Sequence, residues 1–255
     1  MTEWRALILA GARPGADPVA AAAGVAFKAF APVAGRPMLA HVVAALRGAP
    51  QIAEIAVSVP SDAPALPEGL IRLDSAAGPA ASALAGFDRL GPPLLVTTAD
   101  HPLLTSAMVM DFLAGAEASG AAAAAGLCPR ATAERAGNPA RRTWLRFADG
   151  DASGCNLFAL AAPEARGAVA LWRALETERK RPWRMARRIG PGLLVRHLLG
   201  RLDRAGAAAA LGLRAGCTAA LVTVDHPDAA HDVDSPADLL FAERRMTARA
   251  TAQEA

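Results

Sequence analysis

The sequence predicts an α/β fold with a mixed, mostly parallel central sheet flanked by helices. Short apolar runs alternate with segments of helical period over the first half of the chain, which is the pattern of βαβ units. Glycine- or aspartate-bearing turns follow directly on apolar runs, as they do at the carboxyl ends of parallel strands. At 255 residues, with 53% hydrophobic and 20% charged residues, there is ample material for one core.

The first strand is read at Arg5–Ala10, ended by Gly11 and a Gly/Pro-rich loop through Pro18. An alanine-rich stretch follows, with no conformation assigned. Pro37 opens a helix through about Arg47, with Met38, Leu39, Val42, Val43 and Leu46 on one face. Glu54–Pro60 reads as a strand, Ala80–Leu90 as a helix and Pro93–Thr98 as a strand that stops at Asp100. Thr105 or Ser106 can cap the next helix, and a strand is expected near Ala121–Leu127.

In the second half, Arg142–Phe147 and Asn156–Leu160 read as paired strands around Asp149-Gly150-Asp151. A basic helical stretch runs from about Pro163 to Ala210, with a break near Gly190–Gly192. A last strand, Ala219–Asp225, precedes a closing helix in which Ser235 is the N-cap, Pro236 the first helical residue and Asp238 the capping-box acid. There is no long linker and no repeat. One domain is expected over 1–248, divided into 1–128, an inserted subregion 129–216 and a closing strand and helix 217–248, with a frayed tail 249–255.

No apolar run approaches the roughly 20 residues of a membrane-spanning helix. Met-Thr-Glu-Trp-Arg leads straight into a strand, unlike a secretory signal, so a cytoplasmic location is expected. Cys128, Cys155 and Cys217 lack CxxC spacing and neighbouring histidines; they read as reduced structural thiols, and zinc is not expected. The formal charge is +3, yet ten Lys/Arg face three acids between Leu171 and Arg204. Only Trp172 and Trp183 accompany that surplus, so no nucleic-acid partner is expected. The segment Arg179-Lys-Arg-Pro-Trp-Arg-Met-Ala-Arg-Arg188 admits three readings: a solvated helix face, a lid on a substrate phosphate, or an amphipathic patch in peripheral contact with anionic lipid.

Three polar features can carry chemistry. The loop after the first strand can bring backbone amides close to phosphates, or be an ordinary turn. Asp100, directly after a buried strand, can hold Mg²⁺ through a hard oxygen, or cap the turn before Pro102. Asp232 and Asp234 alternate in Asp232-Val-Asp234-Ser-Pro-Ala-Asp238 and therefore share a side in extended backbone. They can complete a metal site opposite Asp100, or only favour the following helix N-terminus.

Taken in order, Leu7-Ile-Leu-Ala-Gly11, Lys28, Pro32-Val-Ala-Gly-Arg-Pro-Met-Leu39, Gly78-Pro-Ala-Ala-Ser-Ala-Leu84, Thr98-Ala-Asp-His-Pro-Leu103 and Asp232-Val-Asp-Ser-Pro-Ala-Asp-Leu239 resemble the nucleotidyltransferases of Rossmann-like GT-A fold. These include the molybdenum-cofactor guanylyl- and cytidylyltransferases and the methylerythritol-phosphate cytidylyltransferase. The resemblance covers both ends and about the first 120 residues. It implies that residues 1–128 bind the nucleotide and 129–216 face the acceptor. Leu9, Ala10 and Gly11 then contact base and ribose through backbone, Lys28 the triphosphate, Gly78 and Ser82 the nucleotide pocket, and Asp100 with Asp232 or Asp234 the Mg²⁺. The arginine usual before that lysine is matched only by Arg13, which stands early, and Ala16–Ala26 is an insertion relative to the pattern.

The implied reaction is transfer of NMP from an NTP, CTP as the first choice, to a phosphorylated small molecule with release of pyrophosphate. Such an acceptor is already mostly a dianion at neutral pH and needs positioning and charge neutralisation rather than a strong base. Arg142 and Arg146, which share a face of the expected strand, and Asn156 are candidates for holding it. His101 is a minor candidate beside Asp100. Two other readings remain open: a non-catalytic nucleotide-binding regulatory protein, and a nucleotide-sugar glycosyltransferase of the same fold. The latter normally carries Asp-x-Asp where this chain reads Thr98-Ala-Asp100.

Overall fold

The computed structural model describes residues 2–12, 15, 17–137, 143–178 and 190–254. Its seven-stranded sheet comprises β1 (Trp4–Leu9), β4 (Ile52–Val59), β5 (Ile71–Asp74), β6 (Leu94–Thr98), β7 (Ala123–Pro129), β8 (Ala152–Leu160) and β9 (Ala219–Thr223) in the order β5-β4-β1-β6-β8-β7-β9. Only β8 runs antiparallel to its neighbours; β5-β4-β1-β6 and β7-β9 are parallel. A two-residue hairpin, β2 (Pro32–Val33) and β3 (Arg36–Pro37), stands apart.

Period-two alternation in β1 divides the core between the two faces of the sheet. Trp4, Ala6 and Ile8 pack with α2 (Met38–Arg47) and α4 (Ser106–Ser119), whose Leu39, Val42, Leu46, Val109, Phe112 and Leu113 belong to the same cluster. Leu7 and Leu9 point to the other side, onto Ala83 and Phe87 of α3 (Pro79–Leu90) and Val169 of α6 (Ala165–Glu178). Gly86 is required on α3 because a Cβ there would lie 2.3 Å from Leu7 Cδ2. A third, smaller cluster joins Val19, Ala31, Val33, Met38, Leu103, Val233 and Ala242. It lies under α1 (Pro18–Ala23), the hairpin and the closing helix, and it bears on the site.

The alternating first half is as expected, and the Lys28–Phe30 turn, the β2–β3 hairpin, a short helix and an edge strand add to it. The alanine-rich stretch forms α1, because Asp17 Oδ1 accepts from Val19 N and Ala20 N while Pro18 suits the first turn. The edge strand β5 alternates apolar Ile71 and Leu73 with polar Arg72 and Asp74, but at four residues it is too short for its period to stand out. In the second half the expected strand Arg142–Phe147 is not formed. Leu145 makes an isolated antiparallel bridge to Ala152, and the Ala148 N–H turns away to Leu202 O, so the ladder does not extend. Its first residue, Arg142, lies outside the described residues.

The basic stretch forms α6, α7 (Pro191–Leu198) and α8 (Arg204–Ala215), with α5 (Arg130–Glu134) before β8. The segment 179–188 lies outside the described residues. The closing helix α9 spans Pro236–Glu254, so the tail expected to fray beyond Ala248 is helical. Arg249, within that tail, donates to Leu103 O and to the Asp228 carboxylate, which ties the helix down. Among the described residues no helix is long and apolar enough to cross a membrane; Cys128 and Cys155 are buried and Cys217 is partly buried.

Candidate active site

The sheet order reverses direction at β1. The chain moves outward through β4 and β5, then crosses to β6 on the other side of β1. A crevice therefore opens at the carboxyl ends of β1 and β6, where α/β folds place ligands. Leu9 and Ala10 are buried at that end of β1, with Ala99 N donating to Leu9 O and Ala10 N to Ser58 O. Gly11 is exposed at the rim, and a Cβ there would stand 3.5 Å from Ser75 Cβ. The β1 loop and the β5–α3 loop thus face one another closely. Arg13 lies outside the described residues.

Lys28 opens a 3-10 turn, Lys28–Phe30, after α1. Its ammonium donates to Asp100 Oδ2 at 2.7 Å and to Asp234 Oδ1 at 2.9 Å, joining three segments far apart in sequence. Burial pushes the ammonium toward its neutral form, but the two carboxylates outweigh burial and hold its pKa above the ordinary lysine value. Asp100 Oδ1 is buried and has no hydrogen-bond partner. A buried, unsatisfied carboxylate oxygen calls for a cation or a donor.

The third apolar cluster explains why these charges meet. Ala31 follows Lys28 by three residues, Leu103 follows Asp100 by three, and Val233 separates Asp232 from Asp234. Each apolar residue is buried, while Lys28, Asp100 and Asp232 are partly buried and Asp234 is exposed. Val233 N donates to Asp100 O at 2.8 Å, which sets the two acidic loops side by side. Asp234, exposed, reaches Lys28, and Asp232, on the other side of Val233 in sequence, is partly buried. Among the described residues no group of three or more His, Cys, Asp or Glu side chains is arranged for a metal. The candidate donor set is the carboxylate pair around Lys28, and Mg²⁺ sites commonly rely on one or two carboxylates, with phosphate oxygens and water as the remainder.

Gly78 is the N-cap of α3, and Ser82 lies one turn along it, buried, accepting from Ala76 N at 2.9 Å. Ser82 thus shapes the loop that faces Gly11. Sequence reading did not single out Glu176 of α6, whose carboxylate accepts from Ala80 N at 3.1 Å and would lie 3.0 Å from a Cβ on Gly78. Nothing near Glu176 in sequence marks it; the contact arises from α6 packing on α3. His101 is buried, with Nε2 3.3 Å from Asp228 O, so it joins the two acidic loops from behind.

Asp228 was also not singled out. It is buried, and Arg245 and Arg249, one helical turn apart on α9, clasp it with bonds of 2.7–3.0 Å. Burial raises its pKa, but the hydrogen bonds and charges of the two guanidiniums prevail and hold it below the usual carboxylate range. Arg249 also donates to Leu103 O, so one clasp fixes α9 to both acidic loops. The i, i+4 spacing of Arg245 and Arg249 is a signal, though it is shared by many solvated helix faces.

On the acceptor side the picture is looser. Arg146 is exposed beside the Leu145–Ala152 bridge, and its proposed partner Arg142 is outside the described residues. Asn156 sits within β8 rather than at its start. It has φ 51 where the register between β7 and β8 shifts. Bulges of this kind re-aim side chains at sheet edges and next to sites.

A family model of the MobA-like NTP transferase domain matches residues 6–215. A structure titled as a hypothetical transferase from Thermus thermophilus is 29% identical and superposes with a TM-score of 0.80, over 94% of this chain and 100% of that one. A 2-C-methyl-D-erythritol 4-phosphate cytidylyltransferase from Thermus thermophilus shares the fold at 20% identity, TM-score 0.53, over 94% and 98% of the two chains. A CMP:2-keto-3-deoxy-manno-octonic acid synthetase complexed with CTP does so at 16% identity, TM-score 0.57, over 97% and 100%. No curated protein matches. The crevice, its ordered motifs and the matched span lead to one conclusion: the chain belongs to the family of MobA-like NTP transferase domains.

Proposed function

We propose that this protein is a Mg²⁺-dependent nucleotidyltransferase that moves NMP from an NTP to a phosphorylated small molecule and releases pyrophosphate. The observation that carries the reading is the Lys28 ammonium held between Asp100 and Asp234 at the mouth of the β1/β6 crevice. CTP is the first nucleotide to test, with GTP and UTP next. One solved neighbour of this fold is named a cytidylyltransferase and another holds CTP.

In this reaction an oxygen of the acceptor phosphate attacks the α-phosphorus. The α–β bridging P–O bond breaks, and its electron pair leaves on pyrophosphate. The acceptor, with a second pKa near about 6, arrives as a dianion, so the chain needs no strong base. Backbone at Leu9, Ala10 and Gly11, with the loop shaped by Gly78 and Ser82, positions the nucleotide. Lys28, kept protonated, offers charge to the triphosphate. Asp100, through its unsatisfied Oδ1, with Asp234 or Asp232 would hold a Mg²⁺, which would supply charge neutralisation at the phosphates. Arg13 is a further phosphate contact, and Arg142, Arg146 and Asn156 are the proposed acceptor contacts.

The test is a matrix of the four NTPs with Mg²⁺ against phosphorylated sugars, polyols and cofactor precursors, read as pyrophosphate release. A productive well that falls silent with Asp100→Ala supports the assignment. An Asp100→Ala enzyme of full activity removes the metal reading.

A further inference from the structure

The described residues contain seven exposed large apolar side chains, and five of them, Leu194, Val195, Leu198, Leu199 and Leu213, lie within one stretch of twenty residues. Four belong to α7 or its end. Spacings of i, i+1, i+4 and i+5 put Leu194, Val195, Leu198 and Leu199 on one helical face. That face is turned outward: Leu198 is 74% exposed and Leu199 61%. An ordinary surface helix shows the opposite arrangement, with its apolar stripe toward the core.

The helix is moored at both ends. Gly190, at φ 105, packs against the Arg214 guanidinium so tightly that a Cβ would lie 1.8 Å from Nη2. Leu202 is buried just beyond the other end, and its carbonyl accepts from Ala148 N. Between these anchors α7 presents its leucines to the outside.

The charge of this stretch is predominantly positive. From Gly190 to Gly216 the chain carries Arg196, Arg201, Arg204 and Arg214, with His197, against the single acid Asp203. Asp203 is engaged as the N-cap of α8, where Gly206 N donates to its Oδ1 at 3.0 Å, and it stands 3.8 Å from Arg196. Arg204 is spent on Gly150 O and Asp149. Arg196, Arg201 and Arg214 are exposed.

We infer that α7 is an interfacial helix that seats this protein on an anionic lipid bilayer, with the leucine face in the acyl boundary and Arg196, Arg201 and Arg214 among the headgroups. An outward apolar face edged by arginines matches a bilayer interface. The inference does not depend on the nucleotidyl-transfer reading.

The experiment is cosedimentation of the full-length protein with phosphatidylcholine vesicles, with and without phosphatidylglycerol, at low and high salt. Wild type is expected to sediment only with the anionic vesicles, and less at high salt as the charges are screened. Leu198→Glu with Leu199→Glu, and separately Arg196→Gln with Arg201→Glu, should each lower partitioning about tenfold. Leu240→Glu, at an exposed leucine on α9, should leave it unchanged. Because the substituted side chains are exposed, unchanged circular dichroism and thermal unfolding are expected to accompany the loss. Wild type that stays in the supernatant with anionic vesicles at low salt overturns the inference. So does a Leu198→Glu/Leu199→Glu variant that partitions normally but turns an oligomer into a monomer by light scattering, since the face is then a protein interface.

Discussion

Val233 and Asp100 share a backbone hydrogen bond, Val233 N to Asp100 O at 2.8 Å, across 133 residues of sequence. That single bond sets the loop after β6 beside the loop before α9, and it places an acid on either side of a buried valine at the mouth of the crevice. The Lys28 ammonium then closes the arrangement by pairing with both loops. The paired charges in turn make the geometry sensitive to each of its members.

Removing any of the three groups unbalances the other two. Asp100→Ala is expected to lower kcat/KM by about a hundredfold or more, the scale of losing one electrostatic stabiliser. Asp234→Ala should raise the Mg²⁺ concentration needed for half-maximal rate. Lys28→Met should raise KM for the NTP, through lost charge on the ground-state triphosphate, and lower kcat, because the ammonium is worth more as negative charge builds on the leaving pyrophosphate. Pyrophosphate release titrated against Mg²⁺ and NTP separates the three.

The raised Lys28 pKa fixes the alkaline side of the pH profile. A group whose folded pKa lies above its unfolded value contributes stability below the unfolded value, about 10.5, and loses it as pH rises through the folded value. Lys28 therefore stays charged through the neutral and mildly alkaline range. The rate is expected to rise with pH through about 6, as the acceptor phosphate becomes a dianion, and then to hold level to about pH 9. A fall in kcat/KM centred near neutral pH would point to a different base or a different lysine state.

The apolar platform can be tested apart from the charges. Leu103 is fully buried in the cluster with Val19, Val33, Met38 and Val233. Leu103→Ala is expected to cost about 2–5 kcal/mol in unfolding free energy, for lost burial and the cavity left behind. It should also raise the Mg²⁺ requirement, because the cavity lies between the two acidic loops. Chemical denaturation and the Mg²⁺ titration read the two effects on one variant.

The first half of the fold was legible because strands and helices there announce themselves by period and by their punctuation. Motif singled out Lys28, Asp100 and Asp234, which the fold brings within hydrogen-bond distance of one another through the Lys28 ammonium. The third cluster was not legible, since Val19, Met38, Leu103 and Val233 come from four separate segments with no shared periodicity. The expected strand at Arg142–Phe147 does not form because Ala148 gives its N–H to Leu202, a long-range partner that local pattern cannot reveal. Asp228 and Glu176 escaped for the same reason: each acts through a helix that tertiary packing brings to it.

Asp228 is expected to stabilise the fold in a pH-dependent way. Its folded pKa is depressed below the ordinary value of 3.8, so its contribution is present above about pH 4 and is lost as pH falls through the folded value. Asp228→Asn keeps the shape but weakens three charged bonds, at an expected cost of about 2–3 kcal/mol near neutral pH. The gap between wild type and variant should narrow below about pH 4. Denaturation curves from pH 3 to 7 measure it directly.

Asn156 distinguishes conformation from contact. Its φ of 51 costs little for asparagine, less for glycine and more for a β-branched residue. Asn156→Val should therefore destabilise by about 1–2 kcal/mol through backbone strain. Asn156→Gly should leave stability near wild type while removing the side-chain amide. If the amide holds the acceptor or nucleotide, Asn156→Gly is expected to lower kcat/KM about tenfold, the value of one hydrogen bond. A glycine variant with wild-type kinetics would show that asparagine stands there for the bulge alone, and the acceptor contact must then be sought at Arg146 and its neighbours.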